Sequence, residues 1–176
     1  MDSIRTISCK LRIVDEQAAS IEMTLQAFAD ACNLVADWGR TYNVSRQYDL
    51  HKGCYHTLRQ RFGLSANLAV RAIARVAPRL STAKTRNSTF RPTSVDYDAR
   101  IFRFHETDWS VGLTLVGGRV HFPLKVGAFQ REALAGQTPT SATLSKKRKG
   151  YYIDIQVKEP VPELDEAQGT LGVDLG

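Results

Sequence analysis

Apolar residues at 5–13 alternate: Ile7, Cys9, Leu11 and Ile13 fall on one side, Thr6, Ser8, Lys10 and Arg12 on the other. A period of two predicts a half-buried strand. From Asp15 the period becomes helical. Ile21, Leu25, Phe28, Cys32 and Val35 recur every three or four residues, which predicts a helix from about Glu16 to about Arg40 with Asp15 as its cap. A polar connection covers 41–47. A second helix over 50–62 turns Leu50, Cys54 and Leu58 inward, with Tyr55 a further candidate, and Gly63 ends it. Ser65 opens a third helix, because its hydroxyl can accept from the free amides of a first turn. Leu68, Ala69, Ala72, Ile73 and Val76 give that helix one apolar stripe. Pro78 lacks an amide hydrogen, so a kink or stop is expected there. Residues 81–93, rich in Ser, Thr, Asn, Lys and Arg, read as a mobile basic segment.

From 94 onward the period returns to two. Residues 95–97, 101–104, 110–116 and 119–123 predict a β-meander, with Gly117-Gly118 as a two-residue hairpin turn. A short helix is expected over 128–135. Residues 142–146 and 151–158 read as a hairpin with Lys146-Lys147-Arg148-Lys149-Gly150 at its tip. An acidic linker follows at 160–168, and 169–176 begins a new element. No internal repeat is found. The order strand, helices, strands predicts an α+β protein: a helical block at 15–93 inserted into an antiparallel sheet or barrel built from 1–14 and 94–159.

Composition narrows the class. The 176 residues are 43% hydrophobic and 9% aromatic, ordinary for a globular protein with a substantial core. No apolar run is long enough to span a bilayer, and the N-terminus lacks the apolar core of a signal peptide. Cys9, Cys32 and Cys54 are odd in number and far apart, which suggests reduced, packed thiols in a cytoplasmic protein; without a Cys-x-x-Cys there is no zinc ribbon.

Charge changes the picture more. The net charge of +6 is concentrated at 50–95, which holds Lys52, Arg59, Arg61, Arg71, Arg75, Arg79, Lys84, Arg86 and Arg91 and no Asp or Glu. Arg71, Arg75 and Arg79 are four apart and form a ridge on the third helix. Like charges at that spacing repel by about 0.2–0.5 kcal/mol per pair. A ridge without nearby acid points to an external polyanion, with a solvated helix face as the alternative. Asn67 and Arg71, on the first turns, are candidates to read base edges; Arg75, Arg79, Lys84 and Arg86 are candidates to hold phosphates. Tyr48, just before a basic helix, is a candidate to stack on a base, and Lys52 on that helix is a candidate for nucleic-acid contact. Lys146, Lys147, Arg148 and Lys149 are either a solvated turn or a further phosphate contact. Trp38 and Trp109 read as core residues. His51, His56, His105 and His121 have no partner at metal-ligand spacing, and no nucleophile elbow supports Ser-His-Asp chemistry.

Asp174 ends an apolar strand between Gly172 and Gly176. RNase H-like nucleases need a carboxylate so placed, held toward a metal where glycine lets a phosphate backbone come close. The alternative is an aspartate capping its own turn.

The series Tyr48-Asp49-Leu50-His51-Lys52, Tyr55, Leu58-Arg59, Phe62-Gly63-Leu64-Ser65-Ala66, Ala69, Arg71-Ala72-Ile73 and Arg75-Val76-Ala77 resembles the N-terminal part of TnpB-like proteins. These are the OrfB family of insertion-sequence transposases, related to type V CRISPR effectors. Val95, Asp96, Arg100, Phe102, Leu113, Gly118-Arg119, Gly127 and Tyr151-Tyr152 are similar to that family's sheet region. Gly172-Val173-Asp174-Leu175-Gly176 is similar to its first RuvC motif. The resemblance implies a wedge-like, OB-type barrel with an inserted helical recognition lobe, followed by the first strand of a RuvC nuclease domain. It implies guide RNA and target double-stranded DNA as partners, with base pairing reading the sequence. It also implies Asp174 as a catalytic Mg²⁺ ligand, in a site whose further carboxylates lie beyond Gly176. One carboxylate cannot hold the metal ions of such a site, so these residues alone are expected to bind and not cut. Two other readings remain: a stand-alone, non-enzymatic nucleic-acid-binding protein, and a basic helical module that docks on an acidic protein.

Overall fold

A computed structural model describes residues 2–160; the expected linker past Pro160 and the expected nuclease strand with Asp174 lie outside the described residues. The elements run β1 (Asp2–Leu11), α1 (Asp15–Thr41), α2 (Gln47–Phe62), α3 (Ala66–Leu80), β2 (Ser94–Asp98), β3 (Phe102–His105), β4 (Ser110–Leu115), β5 (Gly118–Lys125), α4 (Ala128–Leu134), β6 (Ser141–Lys147) and β7 (Gly150–Pro160). The chain is α+β, with three helices between the first and second strands.

The strands form one antiparallel sheet in the order β2-β6-β7-β1-β5-β4-β3. It is nearly closed. Its two edges, β2 and β3, are joined by a short turn, and the Tyr97 hydroxyl on β2 donates across the gap to the Thr114 carbonyl at 3.0 Å. Only β3, β4 and β5 form the expected meander; β2 pairs instead with β6. A meander was expected because the strands follow one another in the chain. Tyr97 and Val95 bury their side chains beside Ala142 and Leu144, and that packing places β2 on the far edge. The β4–β5 turn is Val116-Gly117, since Leu115 already pairs with Gly118; it falls one residue earlier in the chain than the expected Gly117-Gly118.

The predicted apolar faces are buried: Ile7, Cys9 and Leu11 on β1, Leu50, Cys54 and Leu58 on α2, and Leu68, Ala69, Ala72, Ile73 and Val76 on α3. One continuous apolar core joins helices and sheet. Helix ends follow local chemistry. Ser65 Oγ accepts from the Leu68 amide at 3.4 Å, as expected, and Gly63 closes α2 in the left-handed conformation at φ +65°. Asp15 is not the cap of α1. Val14 occupies that position, and its amide donates to the Gln17 side chain at 3.2 Å. Pro78 does not stop α3, which continues to Leu80: near a helix end proline removes few hydrogen bonds. Burial, foremost, pushes the Cys9 and Cys54 thiols up to about 11 and Cys32 up to about 12, so all three stay protonated and inert at neutral pH.

Candidate nucleic-acid interface

The arginine ridge of α3 faces inward along part of its length. Arg75 Nε donates to Asp96 Oδ2 at 2.7 Å and its Nη1 to the Ser94 carbonyl at 3.0 Å. Its guanidinium lies 4.8 Å from the centre of the Phe28 ring, and its side chain is only 16% exposed. The other Asp96 oxygen accepts from Thr143. The ridge therefore does meet a carboxylate. The acid-free stretch ends at Val95, and the next residue supplies the partner. Asn67 Oδ1 accepts from the exposed Arg100 at 3.4 Å, so its acceptor meets a cation of the chain itself. Arg71 is half-buried, and its buried Nε has no hydrogen-bond partner among the described residues. Arg79 is exposed and lies 4.7 Å over the Phe90 ring.

Residues 81–93 are irregular, as expected, but they are fastened to α1. The Asn33 side chain donates to the Phe90 carbonyl at 2.9 Å and accepts from the Phe90 amide at 2.8 Å, while Phe90 itself is buried. Arg40 donates to the Arg86 carbonyl at 2.9 Å, and Arg86 Nη2 donates to Asn43 Oδ1 at 2.7 Å. A paired amide, a buried ring and a guanidinium clamp replace the mobility expected from composition. Lys84 stays exposed and in no ion pair among the described residues.

The β6–β7 tip is narrower than the expected 146–150: Lys146 and Lys147 pair within the ladder as part of β6, Gly150 opens β7, and Arg148-Lys149 alone form the turn. Lys146 pairs with Glu22 of α1 at 2.6 Å, and Lys147 reaches Asp154 at 3.5 Å while its ammonium sits 4.8 Å over the Tyr152 ring. Arg148 and Lys149, at the tip, are exposed and without an ion pair among the described residues. Glu22 also accepts from the Tyr151 hydroxyl. The bond from Lys146 is the largest cause that holds the Glu22 carboxyl below its ordinary value, with the Tyr151 bond next.

A different stripe points outward. On α2 the exposed residues away from Leu50, Cys54 and Leu58 include Tyr48, Lys52 and Arg59, and Tyr55, half-buried and packed partly on the core, borders them. Tyr48 is 73% exposed, and the Lys52 ammonium lies 5.6 Å from its ring centre. Tyr55 stacks on His51 with ring centres 4.6 Å apart, and Arg59 lies 5.9 Å from its centre. Cations over exposed rings gain about 0.5–1 kcal/mol each, little enough to leave them available. Of this group Tyr48 and Lys52 are candidates in the sequence, and Arg59 belongs to its acid-free basic stretch. Tyr55, a further candidate for the inward face, packs partly on the core. The outward place of Arg59 is the complement of the apolar stripe: once Leu50, Cys54 and Leu58 are inward, the outward positions follow.

Trp38 and Trp109 are half-buried against the core, as read. His105 and His121 face each other at 5.4 Å, and His121 Nε2 lies 3.1 Å from Asp108. Among the described residues no group of three His, Cys, Asp or Glu side chains could hold a metal ion. Nor is any helix there long and apolar enough to cross a membrane. Asp174 lies outside the described residues. No protein-family model and no curated protein matches the chain.

Proposed function

We propose that the chain is the nucleic-acid-binding N-terminal part of a TnpB-like RNA-guided DNA endonuclease, holding guide RNA and target double-stranded DNA. In this reading the barrel is the wedge, of OB type, and α1 to α3 are the recognition insertion. Asp174 is the first carboxylate of a RuvC Mg²⁺ site, and that site is completed by carboxylates these residues do not supply. The observation that carries the reading is the stripe of α2 on which the exposed Tyr48 and the half-buried Tyr55 alternate with Lys52 and Arg59. Aromatic faces receive unpaired bases, and the interleaved cations receive the phosphates between them. The insertion of three helices between β1 and β2 supports it as well, since that is the arrangement the resemblance implies.

Each part has a role. Tyr48 and Tyr55 stack bases. Lys52, Arg59, Arg79, Lys84, Arg148 and Lys149 hold phosphates. Arg75 leaves the phosphate set, because Asp96 already neutralises it. Asn67, Arg71, Arg86, Lys146 and Lys147 serve the fold first and the ligand only where their remaining donors reach it. The test is fluorescence anisotropy with single-stranded RNA and with duplex DNA over a range of salt. Binding whose logarithm falls linearly with log salt is expected, steeper on duplex DNA, at roughly −0.9 per phosphate contact. Salt-independent affinity, or binding only to an acidic protein, would overturn the reading. Plasmid incubated with Mg²⁺ should stay intact, because one carboxylate does not make the site.

A further inference from the structure

Lys10 on β1 and Lys125 on β5 are directly opposite each other in the sheet register. Side chains so placed have Cβ atoms about 4.5–5.5 Å apart, and like charges there destabilise the pair. Neither lysine has an ion-pair partner among the described residues. Around them lies a cleft of about 380 Å³, lined by Lys10, Arg12, Lys125 and Lys149 over Leu11, Ile13 and Tyr151. Among the described residues no carboxylate lines it. The nearby acids are engaged elsewhere: Glu22 holds Lys146, Asp154 reaches Lys147, and Asp108, on the other side of Arg12, is bonded to Ser110 and His121.

The backbone at Gly150 leaves room for the Lys10 stem. Gly150 has φ +132°, which few side chains tolerate, and a Cβ there would lie 3.0 Å from Lys10 Cε. The missing side chain is the space that the Lys10 stem uses. We infer that this cleft is an anion site that takes two neighbouring phosphate groups, either of a nucleic-acid strand or of a free polyphosphate. Four cations from β1, the segment after it, β5 and the β6–β7 turn converge on a volume that fits a diphosphate, and a bound anion turns their repulsion into attraction. The site does not depend on the reading of the chain as a nucleic-acid binder, because inorganic pyrophosphate probes it directly.

The experiment is thermal melting of the full chain with and without pyrophosphate at constant ionic strength. The test variant is Lys10→Gln with Lys125→Gln, and the charge-matched control is Arg103→Gln with Lys158→Gln, two exposed cations away from the cleft. At about a hundredfold excess over the dissociation constant, wild type and control should rise by roughly 5–10 °C. The test variant should not rise. Without anion at low salt, the test variant should melt about 1–3 °C above wild type, since a repulsive pair has been removed. This crossing of the two curves separates a binding site from a general response to charge. Equal stabilisation of both double variants, or none of wild type, overturns the proposal. Anisotropy with an oligouridylate then tells the source. Affinity lowered in the test variant alone identifies a strand, and unchanged affinity beside a lost pyrophosphate shift identifies a free polyphosphate.

Discussion

Helix α2 carries Lys52, Arg59 and Arg61, and α3 carries Arg71, Arg75 and Arg79, and the two sets end in different surroundings. On α3 the central arginine is fixed between Asp96, Ser94 and Phe28, and its neighbour Arg71 buries its Nε. On α2 the cations rest on rings that are themselves exposed or half-exposed. The cause is position in the fold. α3 packs on both α1 and β2, so only a narrow part of its surface meets water, and the acidic β2 lies under its basic face. α2 packs on α1 and α3 through one face and leaves the other uncovered among the described residues. A charge on a crowded helix is therefore structural first, and the same charge on a helix with a free face is available to a ligand.

The largest effect expected from this contrast is on stability. Arg75→Ala leaves Asp96 half-buried without its guanidinium, and losing hydrogen bonds to a charged group costs about 1.5–3 kcal/mol. That corresponds to a melting temperature lower by roughly 3–10 °C. RNA affinity of the folded variant should stay at the wild-type value. Unchanged melting with weakened binding would reverse the roles of the two helices.

Tyr48→Ala should do the opposite. The ring is exposed, so melting should shift by less than about 1 °C, while single-stranded RNA should bind roughly 5- to 150-fold more weakly, the loss of 1–3 kcal/mol of stacking. Lys52→Ala with Arg59→Ala should flatten the duplex-DNA salt slope by about two units. Arg75→Ala, set beside them, should leave the slope unaltered.

Gly53→Ala tests how α2 is seated. Alanine is the better helix former by about 1 kcal/mol, so propensity alone predicts a gain. A Cβ at this position would lie 2.3 Å from the Trp38 ring, and such overpacking costs about 1–3 kcal/mol. The clash wins, and melting should fall by a few degrees. A rise would mean that α2 moves off α1 without cost, and that its outward stripe is not rigidly presented.

Periodicity made both helices legible, down to the inward residues and the Ser65 cap, because burial is what selects an apolar stripe. It also made the charge excess legible. What it could not carry is the partner of each charge. Asp96 is one residue past the acid-free stretch, yet its place against Arg75 depends on β2 crossing to the β6 edge, a tertiary event. Lys10 and Lys125 are adjacent only through the β1–β5 register. Trp38 and Gly53 meet only when α1 and α2 fold back on each other. Composition likewise described 81–93 as loose, since the Asn33–Phe90 amide pair that fastens it joins residues far apart in the chain.

The smallest effect concerns Lys146, the β6 residue that parallels Arg75 on α3. Its partner Glu22 is held below its ordinary carboxylate value by the Lys146 bond first and the Tyr151 bond second, with burial opposing both. A depressed carboxyl contributes stability that is present above its unfolded value, near 4.5, and is lost as pH falls through the folded value. The Glu22 side chain is 41% exposed, so the pair is screened and contributes only about 0.2–1 kcal/mol. Glu22→Gln should therefore lower melting by about 1–3 °C at pH 7 and by less in 0.5 M salt. The gap to wild type should shrink below about pH 4.5 and close at the acid end, since the protonated glutamic acid and the glutamine are then equally uncharged. A gap that persists at the acid end would show that Glu22 acts through packing on Tyr151 and not through charge. Lys146 would then belong with Arg148 and Lys149 among the cations free for phosphate, and RNA binding by Lys146→Gln would have to fall accordingly.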